Sequence, residues 1–127
     1  MYLLILTFGY IIVAKLNNKF NFATIIYPNV KISKYIEIGQ GTIIYPGVIL
    51  TVNTSIGNHV IISGNCGIGH DTVIDDYSSV LWGSNFSGFD TVGEECFIGV
   101  GTKVTQGVKI GNGRRISTGG IIMKDIV

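Results

Sequence analysis

The chain has 127 residues, a formal net charge of +1 and 13% charged residues, about half the share of roughly 25% usual for a soluble domain. That length suits one domain, and with no Lys/Arg cluster larger than Arg114–Arg115 there is no electrostatic footprint for nucleic acid. Glycine supplies 18 of the 127 residues, which suits short strands joined by tight turns, because glycine tolerates the positive φ that such turns need.

The opening segment Met1–Ala14, MYLLILTFGYIIVA, is nearly all apolar. A spanning helix needs about 20 apolar residues, and the basic n-region and small-residue cleavage site of a signal peptide are missing. The segment reads as a buried helix or strand, with a weak membrane-surface segment as the alternative, and the expected location is cytoplasmic. Residues 1–22 are assigned to this apolar segment and residues 23–127 to a single repeat domain.

The repeat begins at Ile26. From there to Ile122, all seventeen positions spaced six apart carry Ile, Leu, Val or Phe, without an insertion. Two residues earlier the side chain is mostly small or β-branched, as in Thr42, Val48, Cys66, Ser78 and Thr102, with Asp90 and Arg114 as exceptions. Gly or Asp often follows the large residue, at Gly39, Gly57, Gly69, Asp75, Gly93, Gly99 and Gly111. An α-helix cannot keep every sixth residue on one face. A short strand and a turn per repeat can, and three repeats close a triangular coil of 18 residues, stacked at the strand spacing of about 4.8 Å. The predicted fold is therefore all-β, a parallel β-helix of about five to six coils. Period-2 strands of a sandwich and helical stretches of a doubly wound fold are both missing from Thr24 to Val127.

Cys66 and Cys96 form no disulfide framework and read as small buried apolar groups. His59 and His70 are the only histidines. His59 reads as solvated. His70 lies two residues beyond the inward Ile68, where the chain turns a corner, so its side chain should face out beside Asp71. On spacing alone, an ordinary polar turn and a base with its orienting acid both remain open. No metal site is expected. The β-helical carbonic anhydrases resemble this repeat but bind zinc through three histidines, and the phosphate-binding G-x-x-x-x-G-K-[ST] loop is absent.

The segments FATIIYPNVKIS (22–33), IGNHVIISGNCGIGHDTVIDDYSSV (56–80) and CFIGVGTKVTQGVKIGNGRRISTGG (96–120) resemble the hexapeptide-repeat acyltransferases, whose β-helix is left-handed. Within them, the likeness is to the sugar O- and N-acetyltransferases of sialic-acid and bacillosamine-type pathways. The resemblance implies an acetyl-CoA-dependent acetyltransferase acting on an amino or hydroxyl group of a sugar or nucleotide-sugar, and a homotrimer with its sites between adjacent β-helices. Trp82, Phe89 and Tyr77 fall off the inward positions and would want such cover. Three family features are not matched: an N-terminal nucleotide-sugar-binding domain, of which residues 1–22 would be a remnant, a closing Gly-x-Pro-Ala segment, and a second histidine at the position of Ser79.

Acetyl transfer from a thioester needs a base for the acceptor's proton and a donor for the oxyanion. The resemblance makes His70 the general base, Asp71 its partner and Gly88, one coil on from His70, an oxyanion donor through an open N–H, with a plain turn glycine as the alternative. It also places Gly101, Thr102, Gly119 and Gly120 along the CoA pantetheine, with backbone amides reading its amide groups. Arg114 and Arg115 would meet CoA phosphates, although Arg114 falls on an expected inward position and reads equally as a local distortion or an end-of-helix exit. The alternatives are a non-catalytic β-helix that only trimerises and an acyltransferase with another small acceptor.

Overall fold

Each six-residue repeat resolves into a two-residue strand, one linking residue, a two-residue turn and another linker. A computed structural model describes residues 21–127, in which seventeen such strands run from Ile25–Ile26 to Ile121–Ile122 with no helix among them. They form three parallel sheets of six, six and five strands. Every strand pairs with the third strand along the chain, so Ile61 lies beside Ser79 and Ser79 beside Phe97. This is the expected parallel β-helix. The reading of residues 1–14 as a buried or membrane-surface segment lies outside the described residues.

The interior follows the period. Ile44, Leu50, Ile62, Ile68, Ile74, Val80 and Ile98 are fully buried on the large rung, each worth about 1.5–3 kcal/mol relative to exposure. The small rung also points inward, and its polar groups bond to backbone carbonyls of the next coil. Thr42 Oγ1 donates to Gly57 O at 2.8 Å, Ser78 Oγ to Gly93 O at 2.7 Å and Ser84 Oγ to Gly99 O at 3.0 Å. The two cysteines take the same place: Cys66 Sγ donates to Leu81 O and Cys96 Sγ to Gly111 O, each at 3.1 Å. Both thiols are free and buried, and burial pushes that of Cys66 up. Ile26 and Ile32, on the first of the described coils, are exposed.

Positive φ recurs every sixth residue, at the second turn position, from Tyr35 to Gly119, and eight of these residues are not glycine. The glycines that follow the large residue do different work. They lack positive φ, and a Cβ on Gly69 would lie 2.5 Å from Phe86 O and 2.6 Å from Gly88 N. These glycines are present because the next coil's backbone passes directly over them.

One expectation needs correction. His59 is buried, not solvated. Its ring stacks on Tyr77 at 5.4 Å and meets the edge of Phe22 at 4.9 Å, because turns one coil apart stack their side chains as well as their backbones. Burial lowers its pKa, against a smaller opposing pull from Asp76. Arg114 is exposed at what the period makes an inward position, and the ladder stays regular there, since Arg115–Ile116 still pairs with Phe97–Ile98. The strand Arg115–Ile116 is the last of its sheet among the described residues. The Arg115 guanidinium lies 4.6 Å over the Phe97 ring.

Candidate active site

The turn His70–Asp71 joins the strands Gly67–Ile68 and Val73–Ile74. Ile68 and Ile74 anchor it from inside, so His70 faces outward with its side chain 41% exposed. Nδ1 of His70 sits 3.0 Å from Oδ2 of Asp71. Asp71 takes the positive φ (56°) common to its turn position. One coil earlier, Asn53 Nδ2 donates to Asp71 Oδ1 at 2.5 Å. That bond, and then the one to His70, hold the Asp71 carboxyl below its usual range. An ionised Asp71 keeps the imidazole proton on Nδ1 and leaves the Nε2 lone pair outward, the tautomer a general base needs.

The following coil supplies two walls. Gly88 packs against Nε2, and a Cβ there would lie 2.8 Å from it, so any other residue would have to displace the ring and strain a backbone at φ 133°. The Phe89 ring meets the imidazole edge-on, with centroids 4.9 Å apart and planes at 90°. Phe89 is itself 55% exposed. Gly69 permits this closeness by letting the Gly88 backbone pass over it. Thus His70, Asp71 and Gly88 come together as the sequence implied.

The expected open N–H at Gly88 is not there. It donates to Asp90 Oδ2 at 3.1 Å, inside the β-helix. The amides expected to read pantetheine are likewise engaged. Gly101 N donates to Trp82 O at 2.8 Å, Gly119 N to Val100 O at 2.7 Å and Gly120 N to Ser117 O at 3.0 Å. Thr102 is fully buried, and its Oγ1 donates to Gly99 O at 2.7 Å. The parallel ladder and the small inward rung consume these groups.

What the glycines offer instead is bare backbone. Gly83, Gly101 and Gly119 stack at one corner, and a Cβ on any of them would touch nothing within 4 Å. The result is a strip with no side chain of its own, flanked by the exposed Trp82 and Val100, with Lys103 Nζ and Asn85 Nδ2 donating to the Gly83 carbonyl at its edge. It lies on a different corner from His70 and Asp71, because the turns follow one another around the coil and only every third one returns to the same corner. One copy of the chain therefore does not bring the strip to His70.

Sequence reasoning missed Asn53, Phe89 and Asp90 as neighbours of the site. The signals were present. Asn53 and Phe89 stand one coil before and one coil after Asp71, and Asp90 is an acid on a rung of small residues. Among the described residues, no group of three His, Cys, Asp or Glu is placed to hold a metal ion, and no helix is long and apolar enough to cross a membrane.

No family model matches the chain. It is 38% identical over 97 residues to the bifunctional protein GlmU of Alkaliphilus oremlandii (strain OhILAs), covering 72% of this chain and 21% of that protein. It is 32% identical over 85 residues to the GDP-perosamine N-acetyltransferase of Escherichia coli O157:H7, covering 67% of this chain and 38% of the other. Among solved structures, a variant of the GDP-perosamine N-acetyltransferase from Caulobacter crescentus, in complex with CoA and GDP-perosamine, superposes with a TM-score of 0.93 at 26% identity, over 98% of this chain and 62% of that one. The acetyltransferase domain of PglB from Neisseria gonorrhoeae FA1090, in complex with acetyl coenzyme A, gives 0.85 at 26% identity, over 91% and 57%. The chain spans less than two thirds of the length of each of these proteins.

Proposed function

From the premise that this chain is a hexapeptide-repeat β-helix of the left-handed acetyltransferase type, we propose that it transfers the acetyl group of acetyl-CoA to an amino or hydroxyl group of a sugar or nucleotide-sugar. The observation that carries the reading is His70, exposed at a corner, with Nδ1 held by Asp71 and Nε2 directed past a bare glycine.

The chemistry then needs little more. The acceptor nitrogen or oxygen attacks the thioester carbonyl while His70 Nε2 takes its proton. The new C–N or C–O bond forms, the tetrahedral intermediate collapses, the C–S bond breaks, and the imidazolium returns the proton to the departing CoA sulfur. Asp71 keeps the tautomer and stabilises the imidazolium. Gly88 leaves room beside Nε2. The thioester is already activated, so no protein nucleophile is required.

The strip at Gly83, Gly101 and Gly119 suits an extended chain such as pantetheine lying flat against backbone. Because it is on another corner, the reading calls for a homotrimer in which the strip of one copy would face His70 of the next, and the exposure of Trp82 and Phe89 is consistent with such cover.

The test is thiol release from acetyl-CoA with a panel of free and nucleotide-linked amino sugars. Release that depends on the acceptor and on His70 is expected. Silence across the panel from a folded protein would favour a non-catalytic β-helix.

A further inference from the structure

Asp90 is the one carboxylate buried among the described residues, at 1% exposure. It occupies the small inward rung, in a column with Thr54, Thr72 and Val108, each one coil from the next. A buried carboxylate is costly unless hydrogen-bonded. Oδ1 of Asp90 accepts the Val108 N–H at 2.9 Å and Oδ2 the Gly88 N–H at 3.1 Å.

The first bond is ordinary for this rung. Thr42 Oγ1 accepts from Val60 N at 3.1 Å, and Ser78 Oγ from Cys96 N at 2.9 Å, each across one coil. A hydroxyl would serve there. The second bond runs back two residues into the corner and needs the second oxygen. It coincides with a departure in the backbone. Elsewhere positive φ falls on the second turn residue, whereas at this corner Gly88 (φ 133°) and Phe89 (φ 52°) both have it. Burial pushes the Asp90 carboxyl up, and its backbone donors, Val108 foremost, pull it down.

The consequence reaches His70. With its N–H drawn inward, Gly88 lays its bare Cα side against Nε2, and Phe89 carries its ring onto the imidazole edge. We propose that Asp90 is a positioning residue: from inside the β-helix it holds the Ser87–Phe89 corner in the form that brackets His70. The proposal rests on His70 being the base of the reading above.

Asp90→Thr tests it. Threonine fits the rung, as Thr42 and Thr72 show, and offers Val108 a hydroxyl such as Thr42 offers Val60, while losing the acceptor for Gly88. In Asp90→Asn, as a second variant, the carboxamide oxygen keeps one bond while its NH₂ cannot accept the other. Two readouts are taken on the full chain. One is NMR cross-relaxation between the ring protons of His70 and Phe89. The other is the steady-state split between kcat and the KM for acetyl-CoA. We expect the cross-relaxation to vanish and kcat to fall roughly tenfold, as loss of positioning does, with KM and melting temperature near wild type. Cross-relaxation that persists overturns the proposal, and so does its disappearance at unchanged kcat. A merely structural Asp90 would lower melting temperature while leaving kcat per folded molecule intact, which overturns it too. If wild type shows no turnover, the functional reading fails by itself, while the ring cross-relaxation still decides what Asp90 does.

Discussion

The Asp71 carboxylate accepts a hydrogen bond from Asn53, a residue one coil below it in the stack. The same carboxylate holds His70 through its other oxygen. The three side chains therefore form a line along one corner, and their replacement should be graded. His70→Ala removes the base and should lower kcat by about 10²–10⁴. Asp71→Asn should cost less, because it leaves the base and removes only its charge and orientation. Asn53→Gly should cost least, a fall of a few-fold, with positive φ retained as at Gly41 and Gly47. Melting temperature should hold across the series, since His70 and Asp71 lie outside the core. Steady-state thiol release measures the ranking. An undiminished kcat in His70→Ala rejects the base, and an unfolded His70→Ala makes the ring structural.

Much of this was legible because the β-helix has one rule per residue class. An apolar residue at every sixth position set the interior, the register of the coils and the outward corner of His70. What stayed hidden depends on neighbours one coil apart. His59 reads as a turn polar residue until Tyr77 and Phe22 are seen against its ring. Gly88 reads as an open donor until Asp90 is seen beneath it. The glycines after the large residue look like turn formers, yet they answer to backbone passing overhead. Period finds the columns, but the exchange of hydrogen bonds up and down a column needs the three-dimensional stack.

The register itself is tested at Ile62, which is fully buried. Ile62→Asp places an unpaired carboxylate inside the coil at a cost of several kcal/mol, enough to abolish a marginally stable fold. No soluble folded protein is expected. The turn variant Asn58→Asp should fold, but not without cost. Asn58 N donates to Asp76 Oδ1 at 2.8 Å, and its side-chain oxygen accepts from Gln40 N at 2.9 Å. The substitution sets a second carboxylate against Asp76, so its melting temperature should drop and recover in salt. Circular dichroism against temperature, with and without salt, reads both variants. Equal tolerance of the two would break the register.

Burial depresses the pKa of His59 from 6.5, and this sets the sign of a pH effect. The unfolded chain binds the proton more readily than the folded one. Stability from this group is therefore complete above pH 6.5 and is lost as pH falls from there through the folded pKa. His59→Asn suits the positive φ at this turn, as Asn53 and Asn65 show, and removes the titration. Melting curves taken on both sides of the ordinary imidazole pKa should show a steeper acid-side loss for wild type than for the variant. Parallel profiles would mean that the imidazole is as readily protonated in the fold as outside it.

The glycine strip and His70 occupy different corners, which makes the shared site testable by mixing. Gly101→Tyr should fill the strip: positive φ at this turn is tolerated by Tyr35 and Tyr77, and nothing within 4 Å opposes a Cβ. It should raise the KM for acetyl-CoA sharply or abolish turnover, while His70→Ala abolishes turnover by the other route. Neither homotrimer should be active. If each site takes His70 from one copy and the strip from the next, random co-assembly of the two variants restores an intact site in about a quarter of cases, since each partner is correct about half the time. Co-refolding the two at equal concentration, followed by thiol-release assay and mass determination, gives the result. Activity regained in a trimer-sized species places the strip and the base on neighbouring copies. A monomeric mass at micromolar concentration, or a mixture as silent as its parts beside an active wild type, denies a site built between copies.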